Sequence, residues 1–596
     1  MAIQVMEPRD AYSVKILGEP LIYGDSVFFT MKWIENDEYK SSIFVLKKGK
    51  KEPERLTFGG KERSPLAGPD YLYYIKSGEN SESIMIIRNN SEPLELVKLK
   101  KIEKYEKFGQ GLLLTGVEDA PEDKPFTASR LNYRFDGRGL IRNRKSLFIF
   151  GEKLEKILSG DYDVTDLAVQ NGKIWVTITN EGNDAGLSDI YEMDPSNHQL
   201  TKVTSGTGIV NSMVALPDGD IAYSGHREGV KPWAQKKLFP GTKKEPVVIG
   251  KYTGNGSVIS DLFLGSRERM FWDDGLYCCG QNGGSTSIYK YTDRKIKEIA
   301  TGDFTIQDFH VDDGKIAYIY SSQEKPSVLV FQNSEYDPNP HIKGVKGLKV
   351  QSGNVEGWVM KHGEDDPSIL FVHGGPHMAY GESFMIEFQY FFSQGYNIFF
   401  CNPRGSAGYG EEFSAGCVGD WGKGPAEDIF SFIEKGREIT GIKGNFAITG
   451  GSYGGFMTNW MITDNDYFRA AISERCVSNL VSMCGTSDIG FWFNAVYMKV
   501  EDPWTEDSIM NLMKASPIMK IKNAKTPTMF IHGENDYRCP IEQAEQMFVG
   551  LKMNGVDTEL VRYQGDGHEH ARAGKPGNMI NRLETKNNWF RKYMKS

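Results

Sequence analysis

Residues 446–460 read FAITGGSYGGFMTNW. Phe446 to Thr449 is a short apolar run with the character of a buried strand. It runs into Gly450-Gly451-Ser452-Tyr453-Gly454-Gly455, after which the spacing turns helical. A serine with glycine two residues to either side fits G-x-S-x-G, and the chain contains no second match. Glycines at those positions let strand and helix approach without Cβ clashes, and the sharp turn lifts the serine Oγ above the carboxyl end of the strand beside the first helical N–H groups. The bland alternative is a tight glycine turn with no chemistry. Placement between a buried strand and a helix favours a nucleophile at Ser452.

Working outward, strands and helices alternate from residue 336 onward. Ile369 to Val372, Asn397 to Phe400, Thr528 to Ile531 and Glu559 to Tyr563 have strand character. Ala426 to Glu438, the segment after Ser452 to about Thr463, Pro540 to Met553 and Arg582 to Met594 have helical spacing. Such alternation predicts a doubly wound, mostly parallel sheet with helices on both faces over 336–596. Tyr336-Asp337-Pro338-Asn339-Pro340 reads as the hinge before it.

The first half has another grammar. Between about residues 19 and 335, short apolar strands recur after Gly/Asp turns: Val27 to Phe29, Tyr71 to Tyr74, Leu112 to Leu114, Ile174 to Val176, Ile221 to Tyr223, Leu276 to Cys278 and Ile316 to Tyr318. Several have a partner strand one hairpin later, such as Ile43 to Leu46 or Val328 to Phe331. The mean period of about 48 residues predicts blades of four strands and an all-β propeller. Seven blades is the count, and the uneven spacing is compatible with six or eight. A stacked β-sandwich is the alternative.

Bulk properties narrow the function. A chain of 596 residues needs more than one core. A formal charge of −9 and the lack of Lys/Arg runs give no footprint for nucleic acid. No uninterrupted apolar stretch reaches membrane-spanning length, and the N-terminus shows no signal-peptide core. Seven cysteines without CxxC spacing argue against a disulfide framework or zinc site, so a cytoplasmic setting is expected.

A serine hydroxyl needs a base, and on this type of fold the order along the chain is serine, acid, histidine. Of the ten histidines, His568 and His570 follow residue 540. His568 stands after the strand Glu559 to Tyr563, and Asp536 stands after Thr528 to Ile531, so both belong to the rim that carries Ser452. Asp488 and Asp566 compete as the acid and His570 as the base; His532 reads as support for the Asp536 loop. A tetrahedral oxyanion needs two donors. The backbone N–H of Tyr453 is one, and the turn His373-Gly374-Gly375-Pro376 offers the other at Gly375. Val477, Leu480 and Phe491-Trp492-Phe493 are candidates either for an apolar pocket or for core. No ligand cluster for a metal or organic cofactor is apparent, and the mechanism needs none.

Together, VHGGP, NPRGSAGYG, GDWG, TGGSYGGFMT, HGENDYRCP and a late GH resemble the prolyl oligopeptidase family of serine peptidases, most closely its acylaminoacyl-peptidase branch. The resemblance is close over about residues 370 to 575. It implies an α/β-hydrolase domain capped by a β-propeller, the triad Ser452, Asp536 and His568, and an oxyanion hole of the Tyr453 and Gly375 amides. It also implies that residues 1–18 pack on the hydrolase domain. Arg404 and Trp421 fall at family positions and read as bracing and packing. One departure is visible: the stretch after the histidine is Glu569-His570-Ala571-Arg572, with alanine where the branch commonly has serine. The expected partners are short peptides, with self-association left open and with neither nucleic acid nor membrane. The activity expected is release of N-acylated amino acids; dipeptidyl aminopeptidase, general oligopeptidase and a non-catalytic propeller scaffold are the alternatives.

Overall fold

The computed structural model describes residues 6–595 apart from 89–90, 122–124, 181, 183, 255 and 263–266. Seven small antiparallel sheets of three to five strands follow one another between Ile16 and Tyr336, the third interrupted by a separate two-stranded hairpin, Arg134–Phe135 with Gly139–Leu140. They are the blades of a propeller. Each of the seven recurring apolar strands of the sequence lies second in the strand order of its blade, as with Ser26–Glu35, Gly111–Val117 and Lys315–Ser321. These strands are covered on both faces by neighbouring blades, so their sequences run apolar without alternation. Innermost strands face a central channel of about 730 Å³, and this explains charged sequences such as Lys101–Phe108, KIEKYEKF.

No strand is exchanged between the first and last blades among the described residues. The ring closes by packing of Leu17, Phe29, Ile319 and Leu329 and by side-chain bonds, for example Leu17 N–H to Ser327 Oγ at 3.1 Å.

The second half is one eight-stranded sheet. Its order is Leu348–Ser352, Val355–Met360, Asn397–Asn402, Ser368–Val372, Phe446–Ser452, Ala470–Cys476, Thr528–Gly533 and Thr558–Tyr563. The first two strands are antiparallel to their neighbours and the rest are parallel. Helices Lys423–Thr440, Tyr453–Asp464 and Glu542–Met553 cover one face, and Ile386–Ser393 with Pro576–Met594 the other. The closing helix starts six residues before the expected Arg582. Proline is suited to its first turn, and Pro576 stands there.

Chain segments cross between the halves. The Met6 N–H donates to Ser393 Oγ at 3.0 Å, and Gln394 Nε2 donates to the Met6 carbonyl. From the propeller, the Asp261 carboxylate accepts from the Ile386 and Glu387 N–H groups, both at 2.8 Å, where a helix N-terminus favours an anion. Under the sheet, Glu387 and Glu474 meet Arg582 and Lys586 in a fully buried four-charge cluster. Arg582 Nη2 lies 2.8 Å from Glu387 and 2.7 Å from Glu474.

Candidate active site

Ser452 ends the strand Phe446–Ser452, and Tyr453 opens the next helix. Its backbone sits at φ 61°, ψ −121°, a strained conformation for a residue with a side chain. Tight packing enforces it. A Cβ on Gly454 would stand 2.1 Å from the Val372 carbonyl oxygen, and one on Gly450 2.6 Å from Gly454. Both flanking glycines are therefore required by space.

Asp536 and His568 stand on the loops after the last two strands of the sheet, Thr528–Gly533 and Thr558–Tyr563, two and three strands on from the one that carries Ser452. His568 Nδ1 donates to Asp536 Oδ2 at 2.8 Å. The other carboxylate oxygen accepts the Cys539 N–H at 2.8 Å. His532 Nε2 lies 3.3 Å from Asp536 Oδ2 and 2.7 Å from the Cys539 carbonyl, so it braces the loop. Burial works to raise the Asp536 carboxyl, but the His568 charge and the hydrogen bonds of His532 and His568 outweigh it and hold it well below the usual carboxylate range. Ser452 and His568 line the same cavity of about 120 Å³. No Ser452–His568 hydrogen bond is made among the described residues, and the hydroxyl's polar neighbour is the Cys539 thiol at 3.9 Å. Such contacts are often long in unliganded sites and tighten around substrate. Burial pushes the Cys539 thiol far up, so it is not a competing thiolate.

The competitors stand elsewhere. Asp566 accepts from Lys575 N–H at 3.1 Å and from Asn578 at 2.9 Å. Asp488 pairs with Arg538 at 2.8 Å. His570 does not point the way His568 does, because the chain turns into a short helix there; its Nε2 faces Glu474 at 3.9 Å.

The turn carrying Gly375 lies against Ser452: a Cβ on Gly374 would be 3.5 Å from Ser452 Cβ. Gly375 has φ 120°, where a side chain is strained. His373 pins the turn through Ser406 Oγ at 2.9 Å, and burial pushes its imidazole down to about 4, so the brace is neutral at pH 7. Arg404 clasps Asp428 with bonds of 2.9 and 2.7 Å, a brace as expected.

Val477 and Phe493 line the cavity, whereas Leu480 is core. Trp421, expected only to pack, both packs and lines it. Three arginines, Arg475, Arg538 and Arg572, also reach the wall. Among the described residues the one acid lining this wall is Glu569, which holds Arg572 Nε at 2.6 Å, while Arg538 is paired with Asp488 off the wall. Burial would raise the Glu569 carboxyl, but the Arg572 and Arg475 charges bring it down to about 2. The sequence reading passed over this cationic lining: arginines at strand and loop ends are common, and only the fold brings these together.

With this geometry in view, two family models match. The N-terminal β-propeller domain of acylaminoacyl-peptidase matches residues 30–326, and the prolyl oligopeptidase family matches 382–596. The chain belongs to the prolyl oligopeptidase family. It is a serine peptidase carrying a propeller domain. Among its relatives, the uncharacterized peptidase YuxL of Bacillus subtilis is 28% identical over 94% of each chain. Acylamino-acid-releasing enzyme 1 of Oryza sativa subsp. japonica is 34% identical over 38% of this chain, a match spanning only 30% of that enzyme. The fold is similar to that of Pyrococcus horikoshii acylaminoacyl peptidase, with a TM-score of 0.86, 22% identity and coverage of 99% and 98% of the two chains.

Proposed function

We propose that this peptidase releases N-acylated amino acids from short blocked peptides through an acyl-enzyme on Ser452. The observation that carries the reading is the buried Asp536–His568 pair opening onto the same cavity as the Ser452 hydroxyl. Ser452 Oγ attacks the scissile carbonyl while His568 Nε2 takes its proton. Asp536 holds the imidazole with hydrogen on Nδ1 and balances the imidazolium. The tetrahedral oxygen is held by the Tyr453 and Gly375 N–H groups. His568 then protonates the leaving amine, and the steps repeat with water to free the acylated residue.

Preference for a blocked amine follows from charge. A free α-ammonium needs carboxylates to receive it, and the cavity wall offers one glutamate, already paired with Arg572, beside Arg475 and an Arg538 that Asp488 neutralises. An acyl carbonyl, in contrast, finds donors there. Val477, Phe493 and Trp421 suit an apolar residue before the cleaved bond. The propeller screens the site from large folded proteins and from bulk water.

No helix among the described residues is long and apolar enough to cross a membrane. The seven cysteines are unpaired and buried, which fits the cytoplasm.

The deciding experiment compares acetyl-Ala, acetyl-Phe and free-amine dipeptide chromogenic substrates. Turnover of the acetylated compounds is expected. Hydrolysis restricted to free amines overturns the acyl reading, and equal turnover by Ser452→Ala overturns the mechanism.

A further inference from the structure

The strands Arg134–Phe135 and Gly139–Leu140 form a small hairpin of the propeller, with Asp136 at its tip. That tip is inserted among the loops of the other domain. Asp136 Oδ1 accepts the Tyr537 N–H at 3.0 Å, and both carboxylate oxygens lie 3.2 Å from the His568 N–H. One carboxylate therefore ties the residue after Asp536 to His568 itself. Its own N–H donates to Asp488 Oδ2 at 2.8 Å, and Asp488 in turn holds Arg538. Arg134 donates to the Thr486 carbonyl and lies 4.9 Å from the Tyr537 ring centre. At its base the hairpin is fixed to the propeller, since Arg138 pairs with Asp163 at 3.2 Å.

We infer that Asp136 is a positioning residue for the peptidase reaction, supplied by the propeller, which holds the Asp536 and His568 loops in register. The inference rests on the proposed triad. The two amides belong to different loops, which are joined nearby by the Asn535 N–H to the Asp566 carbonyl at 2.9 Å, but that bond does not reach the amides of Tyr537 and His568 themselves. A carboxylate reaching both fixes it directly, with the stronger kind of bond that a charged acceptor makes. Removing it frees the His568 main chain, and small misplacement of a base is costly to the chemical step. Asp136 does not line the cavity holding Ser452, so substrate affinity is not expected to follow.

The test uses the full chain. Asp136→Ala is expected to lower kcat on an acetyl-amino-acid chromogenic substrate, and the rate of fluorophosphonate labelling, by roughly 10- to 100-fold, the range for losing hydrogen bonds to a charged group. KM should change far less. Asp136→Asn keeps an acceptor oxygen that reaches both amides from the Oδ1 position, but it sets its NH2 near the His568 N–H, so it should recover part of the loss. Arg138→Ala, which loosens the hairpin at its base, should lose part of kcat in the same way. Thermal unfolding of each variant is followed alongside. If Asp136→Ala labels and turns over as the native chain does, or raises KM with kcat intact, the inference fails while the triad stands. If Asp136→Asn is as poor as Ala with the fold intact, the tether is refuted also. Failure of the native chain itself to label at Ser452 removes the triad and this inference with it.

Discussion

Asp536→Asn isolates the role of the buried acid. Asp536 is 3% exposed and receives an N–H on each oxygen, from His568 and from Cys539, both at 2.8 Å. An amide has one accepting end and one donating end. With its oxygen toward Cys539, its NH2 faces His568 Nδ1 and forces the tautomer protonated on Nε2, which cannot take the Ser452 proton. With its oxygen toward His568, NH2 meets the Cys539 N–H, a buried donor against a donor that costs about 1–3 kcal/mol. In both arrangements the charge opposite the imidazolium is lost. Turnover should fall about 10³- to 10⁴-fold, or ~4–5.5 kcal/mol of barrier. The assay is kcat on an acetylated chromogenic substrate, with fluorophosphonate labelling as a measure independent of substrate binding. Asp566→Asn, at a carboxylate engaged by Lys575 and Asn578, serves as the control and should cost little. The stability side has a definite sign. The folded Asp536 carboxyl titrates below the unfolded value of about 3.9, so its stabilisation is complete above about pH 4 and fades as pH falls through the folded value. The gap in melting temperature between native and variant chains should therefore narrow below about pH 4. Activity within tenfold of native, or a gap that widens on acidification, would refute the reasoning.

Three other substitutions test the frame around the site. Gly454→Ala places a Cβ 2.1 Å from the Val372 oxygen; displaced backbone should cost about 1–3 kcal/mol or more in urea unfolding and depress Ser452 labelling. Glu474→Ala leaves Arg582 and Lys586 short of a buried counter-charge, so denaturation should show a loss of about 3–5 kcal/mol. His570→Gln, at an imidazole facing Glu474 rather than Asp536, should cost kcat less than the roughly hundredfold minimum for removing a general base.

How much of this was legible in the sequence depends on whether the cause is local. The turn at Ser452 is local in its pattern: Gly450 is held by Gly454 within the turn and Gly454 by Val372 of the neighbouring strand, so all the residues it restricts fall in one pentapeptide. The propeller strands found first are those buried on both faces, because burial writes an apolar run. The innermost and outermost strands face water or the channel and leave weaker traces, as in KIKEIA at Lys295–Ala300. The strand Ala470–Cys476 was not found at all. It reads AAISERC, and two adjacent charges argue against a central strand until Arg582 and Lys586, more than a hundred residues on, are seen to neutralise Glu474. Asp136 shows the same effect at its extreme. It stands 432 residues from His568 in an ordinary Phe-Asp-Gly turn, and nothing near it in sequence marks it. Its meaning comes wholly from the docking of one domain on the other. Local packing rules thus mark the proposed nucleophile and the order of the proposed triad, whereas Asp136 and the arginines of the cavity wall are brought to the site by contacts between distant segments.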